Sequence, residues 1–332
     1  AIHPDALKTA VGKLLNISAL RTTHESKPLQ GGTLGDVQLI TGDADTADGR
    51  TLPFQIVMKT QKKWERPGDP LSWRREYDLY SSAFHSLFTQ PFRSPKLYHA
   101  EETEDENRLW MEYVQGVSGA ALSQDDLALA AEALGRFQGR CHRQEDTLRK
   151  IDSLSDEGFM QRDFVLWTPD TVEYRYLHGG ACELPPPLRQ MLVDTQQRSP
   201  AIFEAMRALP QVLCHRDYWT ENIFVSGGQV IAIDWDCAGW GVIGEDVASL
   251  IADEPPIGQI GAYYRRLLPA YYKGIGESLK LPPMDELPVR EMILFKFGYR
   301  LVQQVMFAKR QETKDEAILV LEEISRLPQY RR

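Results

Sequence analysis

The sequence predicts an α+β protein of two lobes, a five-stranded antiparallel sheet lobe followed by a mainly helical one. Three observations carry this. Residues 20–60 read as three β-prone runs joined by Gly-rich and Asp-Gly turns, and two more apolar runs follow at 97–100 and 108–114. Beyond residue 120 the apolar positions recur at helical spacing over long stretches. Inside that helical part, the runs 222–225 and 229–233 flank Ser226-Gly227-Gly228, a strong hairpin signal. With 332 residues and 42% hydrophobic content the chain can bury a large core, and it reads as two domains, 1–115 and 116–332.

Taken in order, an amphipathic helix is expected over Pro4–Leu15. Gly31, Gly32 and Gly35 then form a turn before the strand at 37–40, and a third strand, 54–59, ends on Lys59. A helical pattern over 71–88 carries Glu76, with Tyr77, Tyr80 and Phe84 at helical spacing. The strands at 97–100 and 108–114 are separated by an acidic turn, and Gly116 and Gly119 follow as a connector. Ser123 with Asp126 resembles a capping box that opens a helix through His142, with Leu127, Ala131, Leu134 and Phe137 along one face. Further helices are expected at 187–198, 200–209, 258–279 and 289–310.

Composition narrows the class. No apolar run is long enough to span a bilayer and the first residues are amphipathic, so a cytoplasmic protein without a membrane partner is expected. The four cysteines show no paired metal-ligand spacing and read as free thiols. The net charge of −9 lies mostly beyond residue 116, and no basic cluster with interleaved aromatics occurs, so nucleic acid is not an expected partner.

The most informative stretch is His215-Arg216-Asp217, then Asn222, then Asp234. A carboxylate five residues before an asparagine is the catalytic loop of phosphoryl transfer: the Asp accepts the proton of a substrate hydroxyl and the Asn holds a metal ion. The hairpin between Asn222 and Asp234 returns the chain to its start, so both oxygen ligands would face one hard cation such as Mg²⁺. The glycines Gly31, Gly32 and Gly35 would let backbone amides close over phosphates. Lys59 ends its strand as the phosphate-binding lysine of kinases does. It needs a carboxylate to fix its stem. Glu76 is the choice, with Asp78 the competitor. The backbone of Glu112 and Val114 is where an adenine would be read.

With these parts in order, residues 20–310 resemble the aminoglycoside phosphotransferase and choline kinase-like family, a small-molecule branch of the protein-kinase-like fold. The resemblance implies two lobes, ATP or GTP with Mg²⁺, and transfer of the γ-phosphoryl group to a hydroxyl of a small molecule such as an aminoglycoside or amino alcohol. By position it makes Asp217 the base, Asn222 and Asp234 the metal ligands, and Lys59 with Glu76 the nucleotide grip. His215 and Arg216 support the loop, and Asp246, in the segment from Gly244 to Leu250, holds it. Arg216 stands where that branch usually has glycine, which also admits a protein serine/threonine kinase, and a structural reading pairs it with an acid such as Asp246. A nucleotide-binding pseudokinase acting through partners is the third class. The short path from Asp236 to Glu245 favours a small substrate. Asp236 itself is a third metal ligand, a substrate contact or a hydrogen-bonded turn residue. Between Asp234 and Glu254 there are six acids and no lysine or arginine. Asp253 and Glu254 are therefore assigned to a cationic acceptor.

Overall fold

The computed structural model describes residues 2–29, 35–164 and 168–331. Gly31 and Gly32 lie outside the described residues. In chain order the elements are α1 (Pro4–Leu15), β1 (Ala19–Pro28), β2 (Asp36–Thr46), β3 (Thr51–Lys62), α2 (Ser72–Tyr80), β4 (Phe92–Arg93), β5 (Leu97–Glu102), β6 (Glu106–Glu112), β7 (Val117–Ser118), α3 (Gln124–Arg143), α4 (Glu145–Leu148), α5 (Phe159–Arg162) and α6 (Val172–His178). They continue with α7 (Pro186–Arg207), β8 (Gln211–Cys214), β9 (Ile223–Ser226), β10 (Gln229–Ala232), β11 (Gly239–Val242), α8 (Glu245–Ala252), α9 (Ile260–Ile275), α10 (Val289–Phe307) and α11 (Gln311–Ser325).

The chain forms two compact units. The first comprises Ala1–Ser118, Asp146–Leu154 and Asn222–Ala238; the second comprises the remainder. A single cut near residue 116 therefore does not describe the division, because the hairpin β9–β10 belongs with the earlier sheet unit. Its packing explains this. β10 pairs in parallel with β4 (Val230 opposite Phe92) and β9 pairs with β7 (Val117 opposite Val225). Just after the hairpin, the buried Trp235 ring packs edge-on against Phe84 and Phe88 at 5.0 and 5.9 Å between centroids.

The main sheet of the first unit has the order β1-β2-β3-β6-β5, all antiparallel. α1 covers one face, where Ala6, Leu7, Ala10 and Val11 pack with Ile40, Phe54, Ile56, Met58 and Trp110. Each such large apolar side chain contributes roughly 1.5–3 kcal/mol by burial. Because side chains alternate along a strand, Ile56 and Met58 on the α1 face put Val57 and Lys59 on the other. On that side α2 buries Arg75, Glu76, Leu79 and Tyr80. The expected single helix over 71–88 is α2 followed by a 3₁₀ turn at Ala83–Leu87. Ser82 separates them, its hydroxyl accepting from Phe84 N–H at 3.1 Å.

The second unit is mostly helical. α3 opens on the capping box of Ser123 and Asp126 and packs along α9. The two helices expected at 187–198 and 200–209 are one, α7, which runs through Pro200. A proline inside a helix costs about 3 kcal/mol or more, but α7 buries Thr195, Gln196 and Ser199 before Pro200 or at its edge and Ile202, Phe203 and Met206 after it. Packing on both sides outweighs the lost hydrogen bond. Features that carried no prior expectation include helices α8 and α11 and the antiparallel pair β8–β11, in which Gly239 faces Cys214 and Val242 faces Gln211. Among the described residues no helix is long and apolar enough to cross a membrane.

Candidate active site

In the first unit Lys59, on β3, is nearly fully buried. Its ammonium lies 2.5 Å from Glu76 Oε2, 2.5 Å from Asp234 Oδ1 and 3.8 Å from Asp236 Oδ2. Burial by itself would lower the Lys59 pKa. Asp234, then Glu76 and Asp236, reverse this and hold it well above the ordinary value. Glu76, on α2, is pushed up to about 7 by burial, opposed by Lys59 and reinforced by Asp234 and Asp236. Its other oxygen accepts the Trp235 amide at 3.1 Å. One carboxylate thus orients the lysine and the backbone next to Asp234. Gly35, just before β2, lies close by: a Cβ there would stand 3.7 Å from Lys59 Cε.

The hairpin brings its two ends together. The Asn222 carbonyl accepts the Ile233 N–H at 3.0 Å, so the buried Asn222 lies beside the residue preceding Asp234. Asp234 adopts a left-handed backbone conformation, φ 64°, and heads the 3₁₀ turn Trp235–Cys237. Asp236 lies in that turn, with its side chain toward Lys59 and its carbonyl accepting from Arg75 Nη1 at 2.9 Å.

Arg75 is a residue sequence reasoning passed over. It is 2% exposed, donates to the Ser153 carbonyl at 2.6 Å, and pairs with Asp69 through both terminal nitrogens. It therefore fixes the backbone behind Asp234 from α2. The only hint in the sequence is its position beside Glu76, and adjacent arginines and glutamates are common on solvated helices.

Glu112, assigned to adenine through its backbone, has its amide already donated to the Lys96 carbonyl at 2.9 Å. Its side chain takes Arg93 through two bonds, 2.6 and 2.9 Å. The Glu112 N–H is thus paired within its own unit. Val114, two residues on, is buried.

In the second unit the catalytic-loop segment leaves β8 at Cys214. Asp246, at the start of α8 and 1% exposed, accepts from the backbone N–H of His215 at 2.7 Å and of Arg216 at 2.8 Å. Gln138 of α3 adds a third bond at 2.9 Å and is itself held by Tyr271 at 2.6 Å. Burial raises the Asp246 carboxyl pKa, and Lys296 acts against it. The Asp217 N–H donates to His215 Nδ1 at 3.2 Å and its carbonyl accepts from Trp219. Asp217 is half-buried.

Two expectations are altered here. The Arg216 guanidinium pairs with Glu245, at 3.2 Å, rather than with Asp246, whose carboxylate takes the loop backbone instead. The acids Asp253 and Glu254 are not without a base. Arg300 of α10 stands 2.7 Å from Asp253 Oδ1 and 3.9 Å from Glu254 Oε1. A gap in positive charge along the chain is filled from another helix.

The profile of the phosphotransferase enzyme family (APH) matches residues 63–277, about two thirds of the chain. The chain belongs to this family. It is accordingly a small-molecule kinase, with the protein-kinase-like fold. The matched range contains Glu76, Asp217, Asn222 and Asp234 and begins four residues after Lys59. No curated protein matches the chain in sequence. Among solved structures it is similar to an amicoumacin kinase in complex with AMP-PNP, Ca²⁺ and Ami (13% identity, 90% of this chain and 87% of that one, TM-score 0.56). A microcompartment-associated aminopropanol kinase is also similar (14%, 95% and 94%, TM-score 0.55), as is a choline kinase from Cryptosporidium parvum Iowa II (12%, 90% and 88%, TM-score 0.53). At these identities the likeness concerns the fold.

Proposed function

We propose that this phosphotransferase moves the γ-phosphoryl group of ATP or GTP, with Mg²⁺, to a hydroxyl of a small molecule that carries an amino or ammonium group. The observation that carries the reading is the buried ammonium of Lys59 held between Glu76 and Asp234, with Asn222 hydrogen-bonded beside Asp234. Three carboxylates, those of Glu76, Asp234 and Asp236, surround this one lysine. The excess negative charge and the amide and carboxylate oxygens of Asn222 and Asp234 fit a hard divalent cation. Bound there, the ion would neutralise charge on the phosphate oxygens.

The rest is done by the chain. Lys59, fixed by Glu76, holds nucleotide phosphates; Asp217 takes the acceptor's hydroxyl proton or orients that hydroxyl; His215 and Asp246 hold the Asp217 loop. A small acceptor is favoured by the route from Asp236 to Glu245, which consists of a 3₁₀ turn and β11 and then enters α8. A positively charged acceptor is supported by the net negative charge, which lies mostly beyond residue 116. The related kinases named above include one for aminopropanol and one for choline.

The test is nucleotide turnover with ATP and with GTP against amino alcohols, aminoglycosides, macrolides, neutral sugars and a generic protein substrate. An amino or ammonium-bearing acceptor is expected to stimulate turnover most. A best acceptor that is a neutral sugar or an anion removes the charge argument, and phosphorylation of the protein substrate alone removes the small-molecule reading. In the same assay Asp234→Asn is expected to be nearly inactive and to lose the magnesium-dependent part of nucleotide affinity. Equal magnesium dependence in wild type and variant takes Asp234 out of the metal site.

A further inference from the structure

Arg216 stands immediately before Asp217 with a backbone φ of 67°. This is the left-handed region, where a side chain costs roughly 1–2 kcal/mol and glycine nothing comparable. A non-glycine residue persists there when its surroundings over-determine it. At Arg216 they do. Nη1 donates to Ser155 Oγ at 2.5 Å, Nη2 to the Asp156 carbonyl at 3.0 Å and to the Trp240 carbonyl, and Nε to Glu245 Oε1 at 3.2 Å. The guanidinium carbon also lies 4.7 Å from the centroid of the Phe159 ring.

β11 is cut to fit this pair. A Cβ on Gly239 would stand 2.0 Å from Ser155 Oγ and 2.8 Å from Arg216 Nη1, and one on Gly241 would stand 2.1 Å from Glu245 Oε2. The strand's Gly-Trp-Gly therefore leaves space for the guanidinium beside Gly239 and for the carboxylate beside Gly241. Arg216 and Glu245 side chains are 2% and 3% exposed. Burying an ion pair this deeply is a poor route to stability, since apolar residues of the same volume often do as well or better. Its value lies in fixing one geometry.

We infer that Arg216 is a positioning residue: its guanidinium, clamped by Glu245, Ser155 and the Asp156 and Trp240 carbonyls, sets the direction of the peptide that carries Asp217. Asp246 holds the N–H side of Arg216, and the clamp holds its far end, so the residue cannot rotate about its own backbone. This rests on Asp217 acting on the acceptor hydroxyl, as proposed above. The clamp consists of groups from the second unit alone, whereas the groups assigned to nucleotide phosphates and metal, Lys59, Asn222 and Asp234, belong to the first. Loosening it should therefore lower kcat and leave the nucleotide KM in place.

The experiment is steady-state kinetics of the full chain with Mg²⁺, ATP and the best acceptor of the panel, comparing wild type with Arg216→Gly, Arg216→Lys, Glu245→Gln and Asp217→Ala. Glycine relieves the backbone and removes the clamp. Arg216→Gly is expected to lose roughly 10- to 100-fold in kcat, the scale of a misplacement near 1 Å, with the ATP KM within about twofold. Arg216→Lys stays low, because an ammonium cannot reach the four acceptors of a planar fork. Glu245→Gln falls in the same direction by less. Wild-type kcat in Arg216→Gly, or a raised ATP KM at unchanged kcat, overturns the inference. If Arg216→Gly does not fold, Glu245→Gln decides, and full kcat in that folded variant is equally fatal. Full kcat in Asp217→Ala instead overturns the reading of Asp217, so the two failures are distinguishable.

Discussion

Asp217 is carried on a loop whose backbone is bonded on both sides: its own N–H goes to His215 Nδ1, and the two preceding amides go to Asp246. The consequence for mutation is specific. On the proposed reading, Asp217→Ala removes the group that meets the acceptor hydroxyl and leaves those backbone bonds, so turnover is expected to fall by about 10²- to 10⁴-fold with nucleotide affinity within a few-fold of wild type. Calorimetric titration of nucleotide beside residual turnover checks this, and a folded variant that no longer binds nucleotide would place Asp217 in binding instead. At this scale the pairing of Lys59 with Glu76 and the return of the hairpin to Asn222 were legible, because each belongs to a short motif with fixed spacing. Arg75 was not. Its partners Asp69, Ser153 and Asp236 lie 6, 78 and 161 residues away, and nothing local marks an arginine as buried.

Elements carry constraints of their own. On β11, Gly241→Ala would bring a methyl group within 2.1 Å of Glu245 Oε2 and 2.9 Å of Cys214 Sγ. Overpacking of this kind is expected to destabilise by about 1–3 kcal/mol, read as a lower denaturant midpoint with an unchanged slope; a midpoint equal to wild type would mean that the strand yields. On β6, burial would raise the Glu112 carboxyl pKa, but its bonds to Arg93 and to the Lys96 amide outweigh this and hold it below the usual value. A carboxyl with a depressed folded pKa stabilises above its unfolded pKa and loses that contribution as pH falls through the folded one. Urea denaturation across acidic pH should therefore show wild type losing stability on acidification below the ordinary glutamate value of 4.5 more steeply than Glu112→Gln. Parallel curves would remove the Arg93 clamp from the account. Helix ends illustrate what local signals encode: the Ser123–Asp126 capping box marks the start of α3, whereas Pro200 reads as a break and is not one, because burial on both sides of it is a property of the neighbours of α7.

For the whole molecule, the first test is stabilisation by ligand. A nucleotide at a hundred times its Kd raises stability by about 2.7 kcal/mol if it binds only the folded chain. ATP or GTP with Mg²⁺ is thus expected to raise Tm by several degrees, and chelation of the metal to remove much of that shift. No shift with either nucleotide counts against the nucleotide reading. At this scale, the sequence by itself determined the class of the two units, the order of the sheet strands as separate elements, the hairpin between Asn222 and Asp234, and the family. These follow from side-chain period, turn chemistry and motif spacing, all set by residues a few positions apart. Tertiary structure alone decided that the hairpin packs with the first unit, that Arg216 pairs with Glu245 while Asp246 takes the loop backbone, and that Arg300 answers Asp253. Each of these depends on which distant segment supplies the partner charge or covering surface, and the local pattern of a chain does not encode that choice.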